Sequence, residues 1–333
     1  MPDKRICPIC GEDAVMVEVD KYTDPIASKE YSVVSCGACT VQYAVPFENP
    51  GADWYAKFSP NDSYEGCCLP RFSKFLGNKG IPSGKLLDVG CGTGIFLEKA
   101  KAHGYDVYGV DINIPAVGAA RARGLDKIYL GELSGFIGEK RSSDLDVVTL
   151  FDYLEHLSNP AETVRMAKEL LRPGGCLVVT VPNAERPIIF KRDDFDQPPH
   201  HLTRWTVHSL KGFLERNGFD VVSIDASYLP VWEFTRHISN FIIDRLLTVF
   251  KMVLMRGQPK SATFTQMYGS KGPEQGGRFN LLKNRSTRAL LVKAFRLAIH
   301  YLTAPIFGIL RIYYKVVRDN PGVHIFAVAR KAR

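Results

Sequence analysis

The stretch KLLDVGCGTGIFLEKA, residues 85–100, constrains this chain more than any other. An apolar run from Leu86 to Val89 stops at a glycine cluster, and a helix-like segment follows at once. A strand, a tight turn and a helix N-terminus in that order gather backbone amides around one point, which suits a nucleotide-like ligand. The glycines are spaced GxGxG, not the GxGxxG of the dinucleotide fingerprint, so the loop alone does not name the nucleotide.

The segments that follow supply the context. Val107–Val110 reads as a strand ending in Asp111, about 20 residues after the loop, where a carboxylate can accept from ribose hydroxyls. Lys127–Leu130 is a short strand followed by Gly131 and Glu132. Leu145–Leu150 is an apolar strand that runs into Phe151-Asp152-Tyr153-Leu154-Glu155-His156. A helix is predicted over Pro160–Leu171, closed by Pro173-Gly174-Gly175, then a strand over Cys176–Val181 and a helix over Val207–Asn217. Gly218–Ala226 and Val323–Ala329 read as the last two strands. Strands alternating with helices across short joins predict an α/β fold with a doubly wound, seven-stranded sheet.

Ahead of this region stand Cys7-Pro-Ile-Cys10-Gly and Cys36-Gly-Ala-Cys39, two CxxC pairs separated by 25 residues. Four thiolates at this spacing can converge tetrahedrally on Zn²⁺, with Ala14–Val19 and Tyr31–Ser35 as short strands between them. A four-Cys site leaves no open coordination position, so the ion is expected to be structural. The N-terminal MPDKRICPIC has no apolar stretch resembling a secretion leader, and the cysteines then fit a reducing, cytoplasmic setting.

LLDVGCGTG, VYGVDIN, DVVTLFDYLEHLSNP and LLRPGGCLVVTVPN, in that order, resemble the successive motifs of class I S-adenosylmethionine (SAM)-dependent methyltransferases, of the type 11/23-like kind. The resemblance spans about residues 65–227. CPICG, CGAC and VQYAVPFENPGADWYAKF also resemble a subgroup that carries a zinc ribbon before a Rossmann-like core. The resemblance implies that Gly90, Gly92 and Gly94 line the methionine and ribose portion of SAM, with Asp88 near its amino group. It implies Asp111 on the ribose hydroxyls, Ile112 on the adenine, Glu132 at the adenine edge, and Phe151 and Asp152 beside the reacting methyl. Glu132 stands where Asp is common in the family.

Methyl transfer to a hydroxyl needs a base. DDFDQPPHHLTRW, residues 193–205, falls after the fifth core strand and over the edge where ligands bind. His200 and His201 are both candidates, and His201 is favoured because the run after it resembles the family's substrate-site segment. Glu155-His156 also resembles a pair in quinone O-methyltransferases that use a divalent metal, but adjacent residues at a helix start point apart and chelate poorly.

Between the last two strands lie roughly 95 residues, far more than a hairpin needs, so an inserted helical module is expected over 228–322. From Lys251 to Arg333 there are 16 Lys and Arg against only Glu274 and Asp319, a net of +14, while the rest of the chain is at −6. Lys293, Arg296 and His300, and again Arg311, Lys315 and Arg318, make basic stripes beside apolar faces. The apolar core Leu297–Leu310 is 14 residues, short of the ~20 of a spanning helix. An anionic membrane surface, met by a peripheral helix on the inner face, and a lid over the core both fit this pattern.

The expected organisation is a zinc ribbon over 1–48, a SAM-binding core over 49–227, a basic amphipathic insertion over 228–322, and a final strand with a basic tail over 323–333. The expected activity is O-methylation of a sugar, a polysaccharide intermediate or a lipid-linked small molecule. The alternative is RNA or another nucleic acid; the apolar character of the basic segment and the lack of an Asn-Pro-Pro-aromatic motif after the fourth core strand weigh against it. A non-catalytic SAM-binding scaffold is the third possibility, opposed by the intact loop and the histidine-rich segment.

Overall fold

A computed structural model of the protein describes residues 3–51, 54, 69–140, 144–186, 196–226, 301, 305, 308 and 322–332. The chain forms two compact units, one of residues 1–186, 192–227 and 322–333, the other of 187–191 and 228–321. The basic stripes expected in the insertion lie outside the described residues.

The first unit is built on two sheets. The larger contains β5 (Lys85–Val89), β6 (Asp106–Asp111), β7 (Ile128–Leu130), β8 (Leu145–Phe151), β9 (Leu171–Pro182), β11 (Phe219–Asp225) and β12 (His324–Lys331). Their spatial order is β11-β12-β9-β8-β5-β6-β7. β5, β6, β7, β8 and β9 run parallel, and β12 enters antiparallel between β9 and β11. The central strands read as unbroken apolar runs because both faces are covered: Leu86, Leu87 and Val89 of β5 and Leu145, Val147, Val148 and Leu150 of β8 are inaccessible to solvent. The flanking helices are α1 (Leu69–Leu76), α2 (Ile95–Ala102), α3 (Ile114–Ala122), α4 (Leu133–Lys140), α5 (Pro160–Leu170) and α6 (Val207–Arg216). Their starts follow local chemistry. The Asn113 side chain accepts from the Ala116 amide and Asn159 from that of Glu162, each with proline in the first turn, and Thr206 and Ser209 form a capping box.

The chain winds outward from β5 to β7, then returns to place β8 on the other side of β5. The connections after β5 and β8 therefore leave in opposite directions and open a crevice at the strand C-termini.

The smaller sheet is antiparallel, in the order β1 (Asp3–Ile6), β2 (Asp13–Thr23), β3 (Glu30–Cys36), β4 (Gln42–Val45), β10 (Thr203–Arg204). Its fifth strand comes from far along the sequence: Thr203 pairs with Tyr43 and Arg204 with Gln42. Cys36, Val41 and Tyr43 share one continuous apolar core with Leu150, Leu154 and Trp205, so the ribbon and the larger sheet pack together.

Candidate functional site

The crevice floor is the loop after β5. The amides of Gly90 and Cys91 both donate to the Val110 carbonyl at the end of β6, at 2.8 and 3.1 Å. The Gly92 amide donates to Asp111 Oδ2 at 2.7 Å, and the Asn113 amide to Asp111 Oδ1 at 2.8 Å. Asp111 thus ties the loop to β6; burial pushes its carboxyl up, and the amides offset part of that. Asp88 is buried and accepts from Thr149 Oγ1 of β8 at 2.6 Å. Gly94 caps α2 with φ +79°, and a Cβ there would lie 2.5 Å from Leu125 and 3.0 Å from Ala120. Gly92, at φ +54°, has no atom of the described residues within 4 Å of a built Cβ, so the space beside it is open among them. Ile112 is 58 % exposed beside Asp111, and Glu132 is exposed. These are the features that close approach of a nucleoside needs: bare backbone, a tethered carboxylate and an uncovered apolar side chain.

Across the crevice, β8 ends in an ionisable cluster. Asp152 takes φ +50°, forms an ion pair with the buried Arg71 of α1, and accepts from Thr180 Oγ1 at 3.0 Å. Phe151 packs among Phe72, Phe75 and Phe96, with ring centroids 5.7, 5.9 and 4.7 Å away. Tyr153 lies against Gly90, filling the space a Cβ would need. Glu155 is 1 % exposed, and neither carboxylate oxygen has a hydrogen-bond partner among the described residues. Burial, reinforced by the Asp152 charge, pushes its carboxyl well above the usual range.

The structure brings His156, His200 and His201 together. The ring centroids of His156 lie 4.5 Å from His200 and 4.7 Å from His201, and His200 stacks on His201 at 4.8 Å. His156 Nδ1 meets the His200 carbonyl at 2.6 Å, which fixes the tautomer with its proton on Nδ1. Burial and the two neighbouring histidines push the His156 imidazole well below the usual range. His201 Nδ1 lies 3.5 Å from Asp196, which also pairs with Arg186. Asp196 is half-buried, which opposes ionisation, yet His201 and Arg186 hold its carboxyl well below the usual range. The arrangement leaves His201 Nε2 free of the Asp196 contact, the geometry of an oriented base. Arg71, Tyr153, Thr180 and Arg186 were not singled out in the sequence; each reaches the cluster from a different element, and no local pattern marks it.

In the ribbon, Cys7 Sγ lies 3.8 Å from Cys39 Sγ and Cys10 Sγ 3.9 Å from Cys36 Sγ, and ligand atoms of all four fall within 4.8 Å of one another. The Ile9 and Ala38 amides point at Cys7 and Cys36 sulfurs at 3.4 Å. The hydrogen bond from Cys39 pulls the Cys7 thiol down to about 5. Four converging sulfurs with amide support fit a tetrahedral metal.

Known proteins resemble this chain over part of its length. A family model described as a methyltransferase domain matches residues 62–224. Ubiquinone biosynthesis O-methyltransferase of Aromatoleum aromaticum is 35% identical over 102 residues, covering 29% of this chain and 44% of that protein. The same enzyme of Yersinia pestis is 37% identical over 100 residues, covering 29% and 41%. The chain therefore spans less than half the length of these curated relatives. A SAM-dependent methyltransferase from Archaeoglobus fulgidus superposes with a TM-score of 0.47 at 17% identity, covering 84% of this chain and 100% of that one. Residues 62–224 match the methyltransferase-domain model on a sheet with the class I, SAM-dependent fold, and a candidate four-cysteine metal site precedes them.

Proposed function

We propose that this protein transfers the methyl group of SAM to a hydroxyl of a small acceptor: a sugar, a polysaccharide intermediate or a lipid-linked molecule. The observation that carries this reading is the imidazole cluster, with His201 oriented by Asp196 on the crevice side of β8. The similarity to ubiquinone-biosynthesis O-methyltransferases supports a lipid-linked acceptor.

Bound SAM supplies an electrophilic methyl on a sulfonium; the chain must hold the donor, place the acceptor and take a proton. Gly90, Gly92, Gly94 and Asp88 would hold the methionine and ribose side, Asp111 the ribose hydroxyls, Ile112 the adenine face and Glu132 its edge. Phe151 and Asp152 would border the methyl, and the Arg71 ion pair offsets the Asp152 charge that would otherwise repel an approaching oxygen. His201 accepts the hydroxyl proton on Nε2, and Asp196 stabilises the resulting imidazolium. His200 stacks on His201 and fixes the ring plane. Cys7, Cys10, Cys36 and Cys39 would hold Zn²⁺ in a closed, structural site.

No helix among the described residues is long and apolar enough to cross a membrane. The basic charge of the insertion supports a cytoplasmic protein that docks peripherally on an anionic membrane face. The test is incubation of the purified protein with methyl-labelled SAM and an extract of its source cells, followed by partition between organic solvent and water. Label in the organic phase supports a lipid-linked acceptor, and label in water-soluble sugars supports the sugar branch. Label in RNA, or none with SAM bound, overturns the proposal.

A further inference from the structure

The segment that carries the histidine pair belongs to the ribbon's sheet. β4 begins just after Cys39, and β10, its antiparallel partner, begins just after His201. The Ala44 amide donates to the Leu202 carbonyl at 2.9 Å, and the Leu202 amide donates to the Glu155 carbonyl at 2.7 Å. Leu202 is thus the point where the ribbon meets the end of β8.

Arg204 closes the link. It is 7 % exposed, and its Nη2 donates to Asp20 Oδ2 of β2 at 2.9 Å and to Gln197 Oε1 at 2.6 Å. The Gln197 carbonyl accepts from the His201 amide at 3.0 Å. A continuous path therefore runs from β2, the neighbour of the Cys36-bearing β3, through Asp20, Arg204 and Gln197 to His201. A second path reaches His200. The Trp54 indole lies 6.0 Å from its ring and donates Nε1–H to Asp24 Oδ2 at 2.9 Å, just beyond the end of β2.

We infer that the four-cysteine ribbon positions the histidine pair, with Asp20 and Arg204 as positioning residues that lock residues 197–204 to the ribbon sheet. A guanidinium is always charged, so a buried Arg204 that loses Asp20 must move toward another partner or water, and Gln197 moves with it. An emptied cysteine site loosens β3 and β4, and β4 is the strand that β10 pairs with among the described residues, Trp205 just beyond it being bridged to Asn183. The catalytic consequence rests on the function proposed above; the structural coupling does not.

Hydrogen exchange in the full-length protein reads this coupling without any assay of activity. The reporters are the amides in 196–205, compared with those in 85–98 of the cofactor loop. In Asp20→Asn, exchange in 196–205 is expected to rise about tenfold or more, while 85–98 changes by less than about twofold. Asp20→Glu restores most of the protection. Removing the ribbon metal with a chelator gives the same pattern. Turnover falls through kcat while SAM affinity holds, because Asp20 touches neither ligand. Unchanged protection of 196–205 in Asp20→Asn, or an equal rise in both segments, overturns the inference. Should the wild type transfer no label while the exchange pattern appears, the coupling stands and the proposed function fails.

Discussion

Gly92 and Gly94 stand two positions apart in one loop and have opposite surroundings, so substitution by alanine separates packing from ligand approach. Both have positive φ, and an L-residue in the left-handed region costs about 1–2 kcal/mol. At Gly94 the new Cβ also meets Leu125 and Ala120, which are 2 % and 0 % exposed and have no room to give. Overpacking of that kind adds about 1–3 kcal/mol, for a total of about 2–5 kcal/mol. At Gly92 no atom of the described residues lies within 4 Å of the new Cβ, so only the backbone term applies. Urea unfolding should therefore show a loss of about 1–2 kcal/mol for Gly92→Ala and at least twice that for Gly94→Ala. Calorimetric titration with SAM should show the reverse emphasis: Gly92→Ala, still folded, loses about tenfold or more in affinity because its Cβ occupies the donor's space. Equal stability losses in the two variants would refute the packing argument. Wild-type SAM affinity in Gly92→Ala would refute the assignment of this crevice to the donor.

Three further outcomes follow from individual contacts. Thr149→Val removes the hydroxyl that donates to the buried Asp88 carboxylate and should cost about 1.5–3 kcal/mol of stability, read from the urea midpoint. Glu155 has its folded-state carboxyl raised above the ordinary value, so the native state binds more protons and stability falls as pH rises from the ordinary glutamate range through the raised value. Glu155→Gln should abolish that fall and be more stable than wild type at pH ~7.5, with little difference near pH ~4, as denaturation at the two pH values will show. Cys36→Ser should lose bound zinc by elemental analysis and lower the melting temperature by about 5 °C or more, since structural zinc sites contribute folding free energy directly.

The parts of the fold that a single segment determines were legible in the sequence. β5 and β8 announce themselves because strands buried on both faces must be apolar throughout. The glycine loop and the paired cysteines are legible because turn geometry and metal ligation restrict residue type at fixed spacing. β9 was legible only in part. The helix before it stops at Leu170, and the strand already begins at Leu171, running through Pro173-Gly174-Gly175 with a register shift against β8 between Leu145 and Val147. Proline and glycine read as a terminator, but a bulge accommodates them within the strand. β10 has no sequence signal, being two residues whose strand character exists only because β4 lies alongside. In the site, the histidine pair was visible as a motif, while its convergence with His156 and the Arg71 and Arg186 ion pairs depends on contacts between distant segments.

The central claim is that SAM bound over the glycine loop reacts with an acceptor whose proton leaves through His201. Methyl transfer from labelled SAM by wild type and His201→Ala, with SAM affinity measured on the same samples, tests it most directly. The account predicts an affinity within about twofold of wild type and a turnover lower by about 10²–10⁴-fold, the usual contribution of a positioned base. Full turnover in His201→Ala, or loss of SAM binding together with turnover, would contradict it.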